Sequence, residues 1–368
     1  MPLSPARRSS WIAFLVGFLL LILPLAVYVT VRHIRAPAPK PESTAPLAAS
    51  PAPRVPEIAL DETDLREAGP SLPDSTPPPS PLAVGRALDR TEGWLWGFTI
   101  DPYGGTGTDS LRLFALEVEC WHRIAAAEDV PQHQRLLEAE VRTRLQRFLD
   151  PPRLAGWLRA QRSAQGMLEV LMLAVRCRDQ GMDLAPVRPA LQALANAVGP
   201  EMDQLPPSTA ALYAAHLAAL DMHAGRPLNE YRAAGIISSR PREIRMGLRD
   251  VRALTQEIVA LTLGSRDAAR DLTQEEKMYL RRVLPFFAMT YTVLQNQELA
   301  GDLLSCLNVM GMTDAYGYRE GMRVLVTRQN PDGSFGDASG EGTVRRAGLL
   351  APTASCVTAL SLERMRAR

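Results

Sequence analysis

Asp302 and Cys306 lie four residues apart in "QELAGDLLSCLNVMG". On a helix that spacing puts a carboxylate and a thiol on one face, where they could share a metal ion. No histidine occurs beyond His223 to complete such a ligand set. A carboxylate pairing near a helix interior and a thiol packed in a core account for the same two residues. His216 and His223 are seven residues apart, about 10 Å along a helix axis, and cannot reach one zinc ion unaided. Cys120, Cys177, Cys306 and Cys356 all sit among apolar neighbours in helical stretches, the setting of packed rather than reactive thiols. These positions call for no metal and no cofactor.

Two other groups could line a binding site. Thr255, Gln256 and Glu257, with Asp250, are the most polar interruption in an otherwise apolar helix. Turned toward a central funnel they would line a ligand pocket; turned outward they are a solvated face. Arg345 and Arg346 fall in a glycine-rich connection at 336–352, where they could draw an anionic ligand or simply meet water. The acidic run "DETDLRE" at 61–67 lies in a proline-rich segment, away from any helix that could hold it in a pocket.

The elements that must position these residues read as helices. Leu168, Leu171, Met172 and Val175 form one apolar stripe, as do Tyr318, Met322 and Leu325. Other stretches are apolar nearly all round: "LRLFALEVECW" (111–121), "VLPFFAMTYTVL" (283–294) and "TASCVTALSL" (353–362). Such helices are expected to be buried on several sides. Loops are expected at 99–109, 199–208 and 336–352, and no run alternates with the period of a strand. The pattern predicts an all-α body of roughly ten to twelve helices. Helix pairs recur without a sharp internal period, which disfavours an open solenoid and favours a closed barrel of helical hairpins.

"RQNPDGSFGD" at 328–337 is strong turn chemistry set behind an amphipathic helix. With "PTASCVTALSL" following after a loop, it resembles the Q-x-x-D-G-S-W/F cassette of α/α-toroid proteins. These include terpene cyclases, prenyltransferase β-subunits and thioester-containing complement domains. Gln329, Asp332, Gly333, Ser334 and Phe335 match the cassette, and Thr353, Ala359 and Leu360 match the helix after it. The resemblance implies an α/α toroid in which the Gln and the aromatic ring clamp one helix end to the next hairpin, a structural duty. A looser likeness to uncharacterised bacterial toroid proteins covers 249–362. There Asp302 is retained, while Gln256 and Pro352 stand where those proteins carry histidines. The catalytic motifs of the superfamily, D-x-D-D, D-D-x-x-D and the thioester G-C-G-E-Q, are absent from this sequence. Aromatic content of 6% is also thin for a cyclase cavity.

The first 83 residues are different material. Trp11 to Val31 is an uncharged run of 21 residues, about 31 Å as a helix and enough to cross the hydrocarbon core. The only small-residue cleavage pattern near it, Ala36-Pro37-Ala38, is followed by Pro39, so a retained signal anchor is expected at 1–35. Residues 36–83 hold thirteen of the thirty prolines and are expected to form a disordered, extended linker. The helical body would then span 84–368. Arg7 and Arg8 precede the run, and Arg32 and Arg35 follow it. That near balance leaves orientation to the long tether, which favours an extracytoplasmic body. A formal net charge of +1 makes no case for nucleic acid.

These readings lead to a single-pass protein of the bacterial inner membrane whose helical toroid binds a peptide, lipid or glycan at the envelope without transforming it. The alternative is a toroid enzyme acting on a lipid, polyprenyl or cell-wall substrate.

Overall fold

The computed structural model describes residues 77–104, 108–160, 167–264, 271–338 and 342–368. The apolar run and the linker up to residue 76 lie outside the described residues. Two compact units divide the chain, Met1–Pro70 and Ser71–Arg368, and all the described residues belong to the second.

Among the described residues the body is all-α, with no strand. The first seven helices are α1 (Pro81–Leu95), α2 (Thr108–Ala127), α3 (Pro131–Phe148), α4 (Pro151–Ala160), α5 (Leu168–Asp179), α6 (Arg188–Val198) and α7 (Pro207–Ala219). Then follow the short α8 (Leu228–Ala233) and α9 (Ile236–Ser239), and the longer α10 (Leu248–Gly264), α11 (Gln274–Val293), α12 (Gln297–Val309), α13 (Tyr316–Thr327) and α14 (Gly342–Arg366). Helix starts carry the expected chemistry. Ser80 caps α1 through the Ala83 amide at 3.2 Å, with Pro81 at the first helical position. Thr273 and Glu276 form a reciprocal capping box on α11.

Six helices make a closed circuit of contacts. α2 packs on α5, α5 on α7, α7 on α10, α10 on α12, α12 on α14, and α14 returns to α2. Most of the others lie against this circuit, while α4 and α6 pack on each other. α3 touches α2 and α5, α8 lies on α7, and α9 on α10 and α11. α11 packs on α12 and α13, and α1 touches α14, α2 and α13.

The circuit is where the all-round apolar helices go. Leu111, Phe114, Val118 and Trp121 of α2 are buried, as are Leu350, Val357 and Leu360 of α14. α12 and α14 approach each other closely. A methyl group on Gly301 would lie 2.6 Å from the Ser355 carbonyl carbon and 2.8 Å from the Cys356 amide, so only a glycine lets these two backbones meet.

The first described helix begins at Pro81, capped by Ser80. Two sequence expectations change. The stretch 283–294 is not buried all round: α11 buries Val283, Leu284 and Phe287 but exposes Phe286, Val293 and Leu294. The expected loop at 336–352 is helix from Gly342 onward, with Pro352 inside α14. Proline there removes one amide donor and crowds the carbonyl four residues earlier, a cost that the packing of α14 against α12, α2 and α1 outweighs.

Candidate functional site

All six circuit helices contribute to the wall of one cavity of about 590 Å³. Much of the wall is apolar, including Leu116 of α2, Met172 of α5, Leu212 of α7, Ile258 of α10, Val309 of α12 and Leu362 of α14. Polar side chains interrupt it in two groups with different chemistry.

The first group comes from α2, α5 and α7. Arg176 grips Glu119 with two parallel hydrogen bonds of 2.8 and 3.0 Å, and Arg123 adds a third at 2.6 Å. Burial works against the Glu119 charge, but Arg176 and Arg123 outweigh it and hold the carboxyl well below the usual range. Arg178 pairs with Asp179 at 2.8 Å and donates to the Ala219 carbonyl. His216 donates from Nδ1 to the Leu212 carbonyl at 2.8 Å, and burial pushes its pKa down to about 4. The imidazole is therefore neutral at pH 7, with Nε2 left as an acceptor.

The second group comes from α10, α12 and α14. Gln256 lines the cavity and accepts a hydrogen bond from Ser208 at 3.0 Å. Asp302 lines it too and accepts from Ser355. The close backbone contact at Gly301 is what sets the next side chain against α14. Burial raises the Asp302 pKa to about 7, and the Ser355 bond only partly offsets it. Nearby Glu298 and Arg252, paired with each other at 3.6 Å, act on it in opposite directions. Burial likewise pushes the neighbouring Cys306 thiol up, so it is a packed thiol and no nucleophile at pH 7. Among the described residues no cluster of three or more His, Cys, Asp or Glu could hold a metal.

The sequence candidates thus divide. Gln256 and Asp302 meet in the cavity wall. Glu257 is turned away from it: its carboxylate accepts from the Ile236 and Ile237 amides at 2.6 and 3.0 Å, capping α9. Adjacent helix positions point about 100° apart; Thr255 and Gln256 fall on the cavity side of α10, and Glu257 falls on the side that meets α9. Arg345 and Arg346 are also outside the cavity, because the connection that carries them is helical. Arg345 reaches Asp332 at 3.8 Å, and Arg346 donates to the Gly97 carbonyl at 3.3 Å.

The cassette is structural, but its principal partner is α1. The Gln329 amide donates to the Ala87 carbonyl at 2.8 Å, to Thr91 Oγ1 at 2.9 Å and to the Gly333 carbonyl at 2.9 Å. Its oxygen accepts from Arg90 at 2.8 Å, across 239 positions of sequence. Thr91, fully buried, donates to the Gly333 carbonyl at 2.8 Å. Asp332 accepts from the Ser334 amide and hydroxyl at 3.0 and 2.6 Å, shaping the turn. Gly333 has φ of 95° and lies against the Arg90 carbonyl. Phe335 is fully buried, and its amide donates to Thr353 at 3.0 Å, the tie to α14 that the sequence suggested.

The profile of the family described as Domain of unknown function (DUF6895) matches residues 107–354, more than half of the chain. The chain belongs to this family. The DUF6895 match begins just ahead of α2 and runs into α14, so five circuit helices lie wholly inside it and the sixth in part. α1, the partner of the cassette, precedes the DUF6895 region. No curated protein and no solved structure matches the chain.

Sequence reasoning missed Glu119, Arg123 and Arg176. The signal was available: an i, i+4 acid–base pair inside "LRLFALEVECWHR", on a helix too apolar to be a solvated surface.

Proposed function

We propose that this protein is a single-pass, membrane-anchored binding module whose helical body is an α/α toroid. The closed circuit of six helices with further helices packed against it supports the toroid reading. The apolar run at 11–31 supports an anchor in the bacterial inner membrane, with the body on the extracytoplasmic side. The module takes an amphipathic envelope ligand, a lipid, glycan or peptide, into the central cavity and does not transform it. One observation carries this reading: a cavity of about 590 Å³ whose apolar wall is interrupted by two groups of polar side chains, which lies in the size range of small-molecule sites.

The test uses 1-anilinonaphthalene-8-sulfonate as an amphipathic fluorescent probe. It should bind the native body and be excluded by Met172→Trp, which fills the cavity while keeping the helical signal. Equal binding by the filled variant overturns the reading. For the anchor, deletion of residues 1–35 should release the protein from membranes, and continued pelleting after a salt wash would refute it.

A second reading is an enzyme of the toroid class. It is favoured by Asp302, a cavity carboxyl with a pKa of about 7, suited to giving and taking protons near neutral pH. Metal-dependent or Asp302-dependent turnover of a polyprenyl, lipid or cell-wall substrate would select it.

A further inference from the structure

The chain carries a formal charge of only +1, but that balance conceals a local excess. The segment 240–252, "RPREIRMGLRDVR", holds five arginines against Glu243 and Asp250. It connects α9 to α10 and includes a 3-10 turn at Glu243–Arg245. The turn is fastened to α11 from the inside. Glu243 pairs with Arg282, and the Tyr279 hydroxyl donates to Met246 Sδ at 3.3 Å. The acid of the turn is thereby neutralised by α11, while Ile244 between its two neighbours is left 87% exposed. Leu248, 47% exposed, follows one turn later.

Arg240 is paired with Glu275 and Arg252 with Glu298. Arg242, Arg245 and Arg249, and Arg281 of the adjoining α11, form no ion pair among the described residues, and all four are exposed. Two apolar side chains thus project from a cationic surface whose backing turn is held to α11 by the Glu243–Arg282 pair and the Tyr279–Met246 contact.

We propose that this surface docks on an anionic lipid bilayer. Unpaired arginines are attracted to the headgroups of a negatively charged leaflet, and one or two projecting aliphatic side chains enter the interface. A protein partner would need a larger fully buried apolar centre than two side chains ringed by arginine provide. The assignment agrees with the anchor proposed above, since fewer than fifty residues separate the apolar run at 11–31 from Pro81. The surface is distinct from the cavity, and the proposal stands whether or not the cavity binds a ligand.

The experiment uses the full chain with an environment-sensitive nitrobenzoxadiazole probe on Ile244→Cys. The four native cysteines are buried, so the probe reports the new site. Leu136→Cys on α3, 68% exposed, is the reference position. In the presence of vesicles of phosphatidylcholine with phosphatidylglycerol, the probe at 244 should shift to the blue and be quenched by spin-labelled lipid. Pure phosphatidylcholine should give neither effect, and the probe at 136 should respond to neither vesicle. Each arginine lost, in Arg242→Ala or Arg245→Ala, should lower the docked-to-free ratio about fivefold, and high salt should weaken docking further. No shift on anionic vesicles, an equal shift on neutral ones, or an equal shift at residue 136 overturns the proposal. So does protection by polyglutamate without any vesicle response, which would assign the surface to an acidic protein.

Discussion

Replacing Gln329 tests how the two ends of the helical body are joined. Its amide has two protons shared among three acceptors, the Ala87 carbonyl, Thr91 Oγ1 and the Gly333 carbonyl. Only two net bonds should therefore be counted, at about 1 kcal/mol each. The Arg90 contact is on the exposed side and adds at most about 0.5 kcal/mol. Gln329→Ala should thus cost about 2 kcal/mol, seen as a fall in Tm of roughly 3 °C in thermal unfolding of residues 77–368. Gln329→Glu separates the contributions. It keeps a partner for Arg90 but sets acceptor oxygens against two carbonyls, so it should be no more stable than the alanine variant. A second cycle pairs Gln329→Ala with Thr91→Val, which removes the buried hydroxyl while keeping the shape. Residues in one hydrogen-bond network couple, and the double variant should lose about 1 kcal/mol less than the sum of the singles. If the glutamate variant melts like the parent, or if the singles add to within about 0.5 kcal/mol, the tie between α1 and the turn does not contribute as described.

Gly333→Ala should cost more than about 3 kcal/mol, exceeding the roughly 3 kcal/mol expected for Phe335→Ala, because the new methyl meets the Arg90 backbone at a φ of 95°; equal melting of the alanine variant and the parent would contradict it. Asp302 should make stability pH-dependent. Its folded pKa of about 7 lies above the ordinary 3.8, so the native state holds a proton that the unfolded chain releases. The stabilising term is full below pH 4 and is lost as pH rises through 7. Asp302→Asn should remove that loss, matching the parent at pH 4 and exceeding it at pH 8 by about 1–2 kcal/mol once the open side of the cavity is allowed for; a variant less stable than the parent at pH 8 would reverse the sign.

What could be read from the sequence was whatever local pattern encodes. Helical periodicity gave the all-α body, and turn chemistry at 330–333 identified a structural cassette. Asp302 and Gln256 were visible because polar residues inside apolar helices must be accommodated somewhere. The direction of Glu257 was not legible, since it depends on α9 offering two free amides from twenty positions earlier. The helix that carries Arg345 was not legible because Pro352 and the glycines before it suggested a loop, and tertiary packing overrode that preference. The cassette's duty was recognised while its partner was not: Ala87 and Thr91 carry no local mark that they await Gln329.

The join between α1 and the 330–333 turn also sets a schedule for synthesis. Arg90 and Gln329 are separated by 239 residues, and translation adds about 5–20 residues per second. After α1 emerges, roughly ten to fifty seconds pass before its clasp exists, and throughout that interval Thr91 and the Ala87 carbonyl have no turn to receive them. Of the described helices, the first made is therefore among the last to be secured.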